Sequence, residues 1–198
     1  ENWLKDGYGN LGRTLGENNY FVSDTNYGWG PNAIGDRTDI PNWPEWFRGP
    51  DSQRYLAALY AESGQHADYT RTLPDPGGEN EIVMFKSCFP TSDISGPGSE
   101  PGDPESGDHT IANYKAAYNA LLPIFRAHPD TLFISMTAPP LNRNGGWTTQ
   151  NGQYAHEFNT WLVNSWTTTD RNIAVFDWFR FLADPHDFAL KSEYVGSD

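Results

Sequence analysis

Apolar residues fall in short bursts along this chain, at two different periods. Ile82-Val-Met-Phe85, Leu132-Phe-Ile-Ser-Met136 and Ile173-Ala-Val-Phe176 are brief, nearly continuous runs with β-branched and aromatic members. That pattern predicts strands buried on both faces, as in a parallel sheet. Tyr20-Phe-Val-Ser23 is a fourth strand candidate. Elsewhere the period is helical. Tyr55, Leu56, Leu59 and Tyr60 follow an Asp51 N-cap, and Ile111, Tyr114, Tyr118, Leu121, Leu122 and Phe125 follow Asp108, read as a second cap. Tyr154, Phe158, Trp161 and Leu162 make a third apolar helix face. Pro123 inside the second pattern should kink that helix or mark its last turns. A short helix over Leu11–Leu15 is weakened by Gly12 and Gly16. Pro41-Asn-Trp-Pro-Glu-Trp-Phe-Arg48 reads as irregular surface with buried rings. Residues 95–108, crowded with Gly, Pro, Ser, Asp and Glu, read as a long loop able to cover the strand ends.

Strands alternating with helices imply right-handed crossovers. The expected fold class is therefore α/β, a three-layer α/β/α arrangement with a central parallel sheet carrying helices on both faces. A chain of 198 residues suits one domain with a real core, and neither an internal repeat nor a linker divides residues 1–198. The chain opens on Glu1-Asn2-Trp3 and closes on Gly196-Ser197-Asp198, so it is expected to be a trimmed piece of something longer.

Charge narrows the partners. Thirteen basic residues against 26 acidic ones give a formal charge of -13, which repels phosphate backbones and anionic membrane surfaces. No run approaches the ~18 apolar residues that a membrane span needs. One Cys excludes an internal disulfide. Aromatic residues make up 15%, with eight Trp, a composition suited to binding sugars or flat organic groups. None of His66, His109, His128, His156 and His186 has the spacing of a zinc pair. The acids Asp93, Glu100, Asp103, Glu105 and Asp108 lack the spacing of a calcium loop. No metal and no cofactor are expected.

The stretch Glu81–Asp93 carries the most chemistry. Its apolar half turns polar and small at Lys86, Ser87 and Cys88, then Thr91 and Ser92, and Pro90 cannot continue a ladder. Polar groups at the carboxyl end of a parallel strand sit where open α/β sheets bind ligands. An ordinary strand exit with a buried thiol has the same composition. Cys88 and His109 flank the same loop and can be written as a nucleophile pair. Gly-x-Ser-x-Gly elbows, Walker loops and dinucleotide fingerprints are absent. Upstream, Gly28 and Gly30 permit either a tight turn or close ligand approach.

Taken in order, these segments resemble the SGNH (GDSL-like) hydrolases, secreted members of unassigned substrate in particular. Tyr20–Ser23 leading to Asn26-Tyr-Gly28-Trp-Gly30 is similar to the family's second block. The strand ending in Ser87-Cys-Phe-Pro is similar in position to the third, normally Gly-x-Asn-Asp. Thr131–Met136 with Thr137-Ala-Pro-Pro140 resembles the next strand, and Phe158-Asn-Thr-Trp-Leu162 followed by Val175-Phe-Asp177 the approach to the last one. The resemblance implies an extracellular esterase in which a His-activated Ser attacks an acyl ester and backbone and side-chain donors hold the oxyanion. It places Asn26, Gly28, Gly30 and Ser87 as oxyanion or substrate-binding residues converging at the carboxyl edge of the sheet. Two departures stand out. Either the Ser block and the His block lie outside this chain, leaving Asp198 as the one residue of the His block with Glu1 and Asp198 bordering the cleft, or the chain is a catalytically incomplete relative. The third-block Asn is absent, so Ser87, Thr91 or Ser92 must donate instead. A carbohydrate ester is the preferred substrate class, with Trp29, Trp43, Trp46 and Trp147 shaping the cleft, although each Trp singly also fits a core position. The rival from another class is a non-enzymatic extracellular carbohydrate-binding or assembly module.

Overall fold

Three of the four expected strands form, and all three are parallel. The computed structural model describes residues 3–166 and 169–195. β1 (Ile82–Lys86), β2 (Leu132–Met136) and β3 (Ile173–Phe176) lie side by side in sequence order. Ile82 is opposite Leu132, and Phe133 opposite Ile173. The result is a mixed α/β architecture with a parallel sheet, compatible with α/β/α layering. The described chain divides into two units interleaved in sequence. One comprises residues 3–37 and 53–80, the other, which holds the sheet, residues 38–52 and 81–195.

In the sheet-bearing unit, alternation along the strands sends Val83, Phe85, Phe133, Ser135 and Ile173 into the buried interior. Two helices supply the matching rings, α2 (Trp43–Arg48) and α4 (Ile111–Arg126). Phe125 of α4 stacks on Phe133 with ring centroids 4.0 Å apart, and Phe47 of α2 meets Phe125 edge-on at 4.9 Å and Phe85 at 5.3 Å. Ser135, the polar residue on this face, donates to the buried Tyr118 hydroxyl at 3.2 Å. α5 (Thr149–Asn164) packs on α4 through Phe158, which touches the rings of Tyr114 and Tyr118. Of the residues alternating the other way, Met84, Leu132 and Ile134 are partly covered and Ile82 and Phe176 are exposed, whereas Met136 is buried. The aromatic composition is thus spent chiefly on a core.

Two local expectations in this unit need correction. The segment 41–48 is not irregular, because Pro44 sits in the first turn of α2, where its missing N–H costs nothing. A 3-10 turn, Ile40–Asn42, leads into it, with Asp39 and Asn42 exchanging capping bonds. The cap of α4 is Thr110, which accepts from the Asn113 amide at 3.3 Å, and not Asp108. The first α4 amides, Ile111 and Ala112, donate back to the carbonyls of Gly96 and Pro97. That contact pins the start of the 95–108 loop to the helix. Pro123 does fall in the last turns of α4, which runs on to Arg126.

The other unit contains α1 (Leu11–Glu17) and, from Gln53 onward, α3 (Ser52–Tyr60). Gly12 and Gly16 do more than weaken α1. A Cβ on Gly12 would lie 2.5 Å from the Tyr69 ring, so the glycines let residues 69–72 press against the helix. Leu4, Ala67 and Tyr69 form a small core there, with Trp3, Leu11 and Val22 packed on it. Tyr20–Ser23 is not a strand. Its groups bond to a helix end and to side chains: the Tyr20 amide donates to Leu15, and the Val22 carbonyl accepts from the Tyr69 hydroxyl. Short apolar composition alone did not supply a neighbour for a ladder. Asp24, buried just after it, accepts from the His66 and Ala67 amides and from the Tyr69 hydroxyl.

Candidate functional site

Parallel strands deliver all their exits to one edge, and here each exit is polar and locally tied. β1 runs out through Ser87 and Cys88 into a 3-10 turn, Phe89–Ser92. Pro90 stands in the first turn of that element, where its missing N–H is tolerated. The Thr91 hydroxyl donates to the Cys88 carbonyl at 2.8 Å. Ser92 Oγ donates to the Pro139 carbonyl at 2.8 Å, joining the β1 exit to the β2 exit. From β2, the fully buried Thr137 hydroxyl accepts the Phe179 amide at 2.6 Å. That amide belongs to α6 (Trp178–Leu182), whose N-cap is Asp177, the residue leaving β3. Asp177 Oδ1 accepts from the Arg180 amide at 3.1 Å.

Beyond Ser92 the same exit opens onto a depression of about 220 Å³. Asp93, Ser95, Gln150, Asn151 and Tyr154 are among its lining residues. Asn151 is its anchor. In a capping box at the start of α5, its side-chain oxygen accepts from the Thr148 amide at 2.7 Å. Its Nδ2 donates to Gly146 O and to Asp93 Oδ1, both at 3.0 Å. The Asp93 carbonyl faces the His109 ring at 3.3 Å, and the Ser95 hydroxyl donates to the His109 carbonyl at 3.0 Å. The His109 ring leans on Tyr114 at 5.5 Å. Burial, with the nearby Asp39 carboxylate adding to it, holds the Tyr114 phenol far above its ordinary range, so it stays neutral. Burial likewise pushes Tyr118 up to about 12. Neither tyrosine is a base at neutral pH.

The residues singled out in the sequence are distributed as follows. Ser87 lies in the sheet-bearing unit, 1% exposed, its Oγ accepting from the Trp43 indole at 2.9 Å. Asn26, Gly28 and Gly30 belong to the other unit. There the Gly28 amide donates to Asp36 Oδ1 at 2.7 Å, and the Asn26 carbonyl accepts the Trp29 amide at 3.2 Å. Gly28 and Gly30 both have left-handed φ, 78° and 75°, and Asn32 and Ala33 follow with φ of 57° and 49°. The glycines satisfy a demanding turn, and the Gly28 N–H is committed within it. Glu1 and Asp198 lie outside the described residues. Trp29, Trp43 and Trp46 are buried, while Trp147 is partly exposed, with its indole donating to the Asp187 carbonyl and Arg143 over its ring. His109 is turned to Asp93 rather than paired with Cys88. Among the described residues, no group of three His, Cys, Asp or Glu side chains converges as a metal site.

Asn151, Gln150 and Tyr154 are the residues that sequence reasoning missed. The signal was present: Thr148-x-x-Asn151 has the spacing of a reciprocal cap, which fixes where α5 starts and hence what its first turn faces. Comparison of the chain with protein-family models, curated proteins and solved structures gave no match.

Proposed function

We propose that this chain belongs to the SGNH-type hydrolases and takes part in the cleavage of acyl esters, with a carbohydrate ester as the substrate class. The observation that carries this reading is the single edge at which Ser87–Asp93, Thr137 and Asp177 leave three parallel strands, next to a polar depression. Ligands of open α/β sheets bind outside the carboxyl ends of strands. In the proposed reaction a serine oxygen adds to the ester carbonyl while an imidazole takes its proton. The alcohol then leaves with that proton, and water releases the acid. The hydroxyls of Ser87, Ser92 and Ser95 are bonded to Trp43, Pro139 and His109 backbone or indole groups, none of them to an imidazole nitrogen. The nucleophile is therefore not assigned to these three, and Ser87 acts as a buried support for Trp43.

The test uses the full-length protein as its gene encodes it. It is incubated with a fluorophosphonate probe and assayed on p-nitrophenyl acetate and on acetylated xylo-oligosaccharides. Labelling of a serine other than Ser87, Ser92 or Ser95, with ester hydrolysis abolished by its replacement with Ala, is the expected result. Absence of both labelling and hydrolysis overturns the reading and favours a binding module.

A further inference from the structure

The depression beside the α5 N-terminus has an unequal lining. Asp93 Oδ1 is held by Asn151, which is itself fixed by Gly146 and Thr148, so the carboxylate is preset in orientation. The Ser95 hydroxyl donates its hydrogen bond to the His109 carbonyl, which leaves the oxygen able to accept. Tyr154 Oη accepts from Gln150 Nε2 at 2.9 Å and keeps a proton to give. Acceptors therefore outnumber donors, one acceptor is charged, and the partly buried Tyr154 ring offers an apolar surface alongside them. An anionic ligand is excluded by Asp93 and by the chain's charge of -13. The lining calls for a neutral molecule that donates several hydrogen bonds from adjacent hydroxyls and presents C–H groups to a ring. A volume of about 220 Å³ is below the roughly 300 Å³ at which pockets for drug-sized ligands begin. It suits one sugar ring and not a long chain.

We propose that this depression is a subsite for one neutral pyranose unit, with Asp93 accepting from two neighbouring hydroxyls and Tyr154 stacking against the ring. Its assignment to the carbohydrate part of an ester substrate rests on the function proposed above, but the binding itself does not. The test reads binding of unesterified sugars, so failure of the esterase reading leaves it unaffected. Saturation-transfer NMR on the full-length protein, with xylotriose and cellotriose as probes, is expected to show transfer to at least one of them. Asp93→Asn keeps the shape, and Tyr154→Ala removes the ring. Each is expected to weaken binding about ten-fold. Tyr154→Phe, which keeps the ring if the Ala variant fails to fold, is expected to weaken it about three-fold. No transfer from either sugar overturns the proposal, as does transfer unchanged by Asp93→Asn and Tyr154→Phe together. Binding of butylammonium with neither sugar bound would reassign the carboxylate to a cation and also overturn it.

Discussion

Thr137→Val tests whether the carboxyl edge is held by the bond described for it. Valine has nearly the shape of threonine, but it leaves the Phe179 amide without the acceptor that now lies 2.6 Å away in a fully buried position. A buried N–H stripped of its partner costs about 1–3 kcal/mol, and α6 has only five residues over which to spread the loss. We expect a destabilisation of about 2 kcal/mol. Thr137→Ser keeps the oxygen and removes one methyl, at about 0.8 kcal/mol for the buried carbon plus a small cavity. The order of stability should be wild type, then Ser, then Val. In urea, with a slope of roughly 2–3 kcal/mol/M, Val should lower the midpoint by about 0.7–1 M and Ser by about 0.4 M. Hydrogen exchange should rise first in peptides covering 176–182. A valine variant as stable as wild type, or more stable than the serine variant, refutes the reasoning.

Asp24→Ala removes the acceptor for two amides and a hydroxyl in the Leu4–Tyr69 unit. It should cost about 3 kcal/mol or more, seen as early proteolytic cleavage between residues 20 and 70, whereas cleavage in the sheet-bearing unit should not advance. Asp170 is hydrogen-bonded by the Arg126 guanidinium at 2.7 and 2.9 Å, which holds its carboxyl below the ordinary 3.8. A folded pKa below the unfolded one gives stability that is present above 3.8 and lost as pH falls through the lowered value. Circular-dichroism melts from neutral pH to about pH 3 should therefore show Tm falling in acid, with a shallower fall for Asp170→Asn. An equally steep profile in the variant would count against the ion pair.

Much of the sheet could be read from composition, because β1, β2 and β3 are short apolar runs with no helical period. Tyr20–Ser23 looked the same but formed no strand. A ladder needs a neighbour, and composition does not say whether one is at hand; this segment spends its groups on Leu15 and Tyr69 instead. The helix at Trp43–Arg48 was obscured by two prolines, although one of them occupies the position where a helix tolerates it. Ser87 was correctly placed at a strand exit, yet its neighbour Trp43, far away in sequence, turned it inward. The polar depression was the least legible part. Its residues come from 93–95 and 146–154, two segments that the Asn151 Nδ2–Asp93 Oδ1 bond joins, with the Thr148 capping box holding Asn151 in place.

The interleaving of the two units has a bearing on how the protein is made. Trp43 and Phe47 leave the ribosome well before their partners Phe85, Ser87, Phe125 and Phe133. At roughly 5–20 residues per second, the α2 rings spend several seconds or more with nothing of their own to bury against, while the second segment of the other unit is being added. During that interval they are an adhesive surface on a nascent chain. Yield in a cell-free system should therefore depend on chaperones that shield aromatic segments, and more on their timing than on the final stability of the sheet.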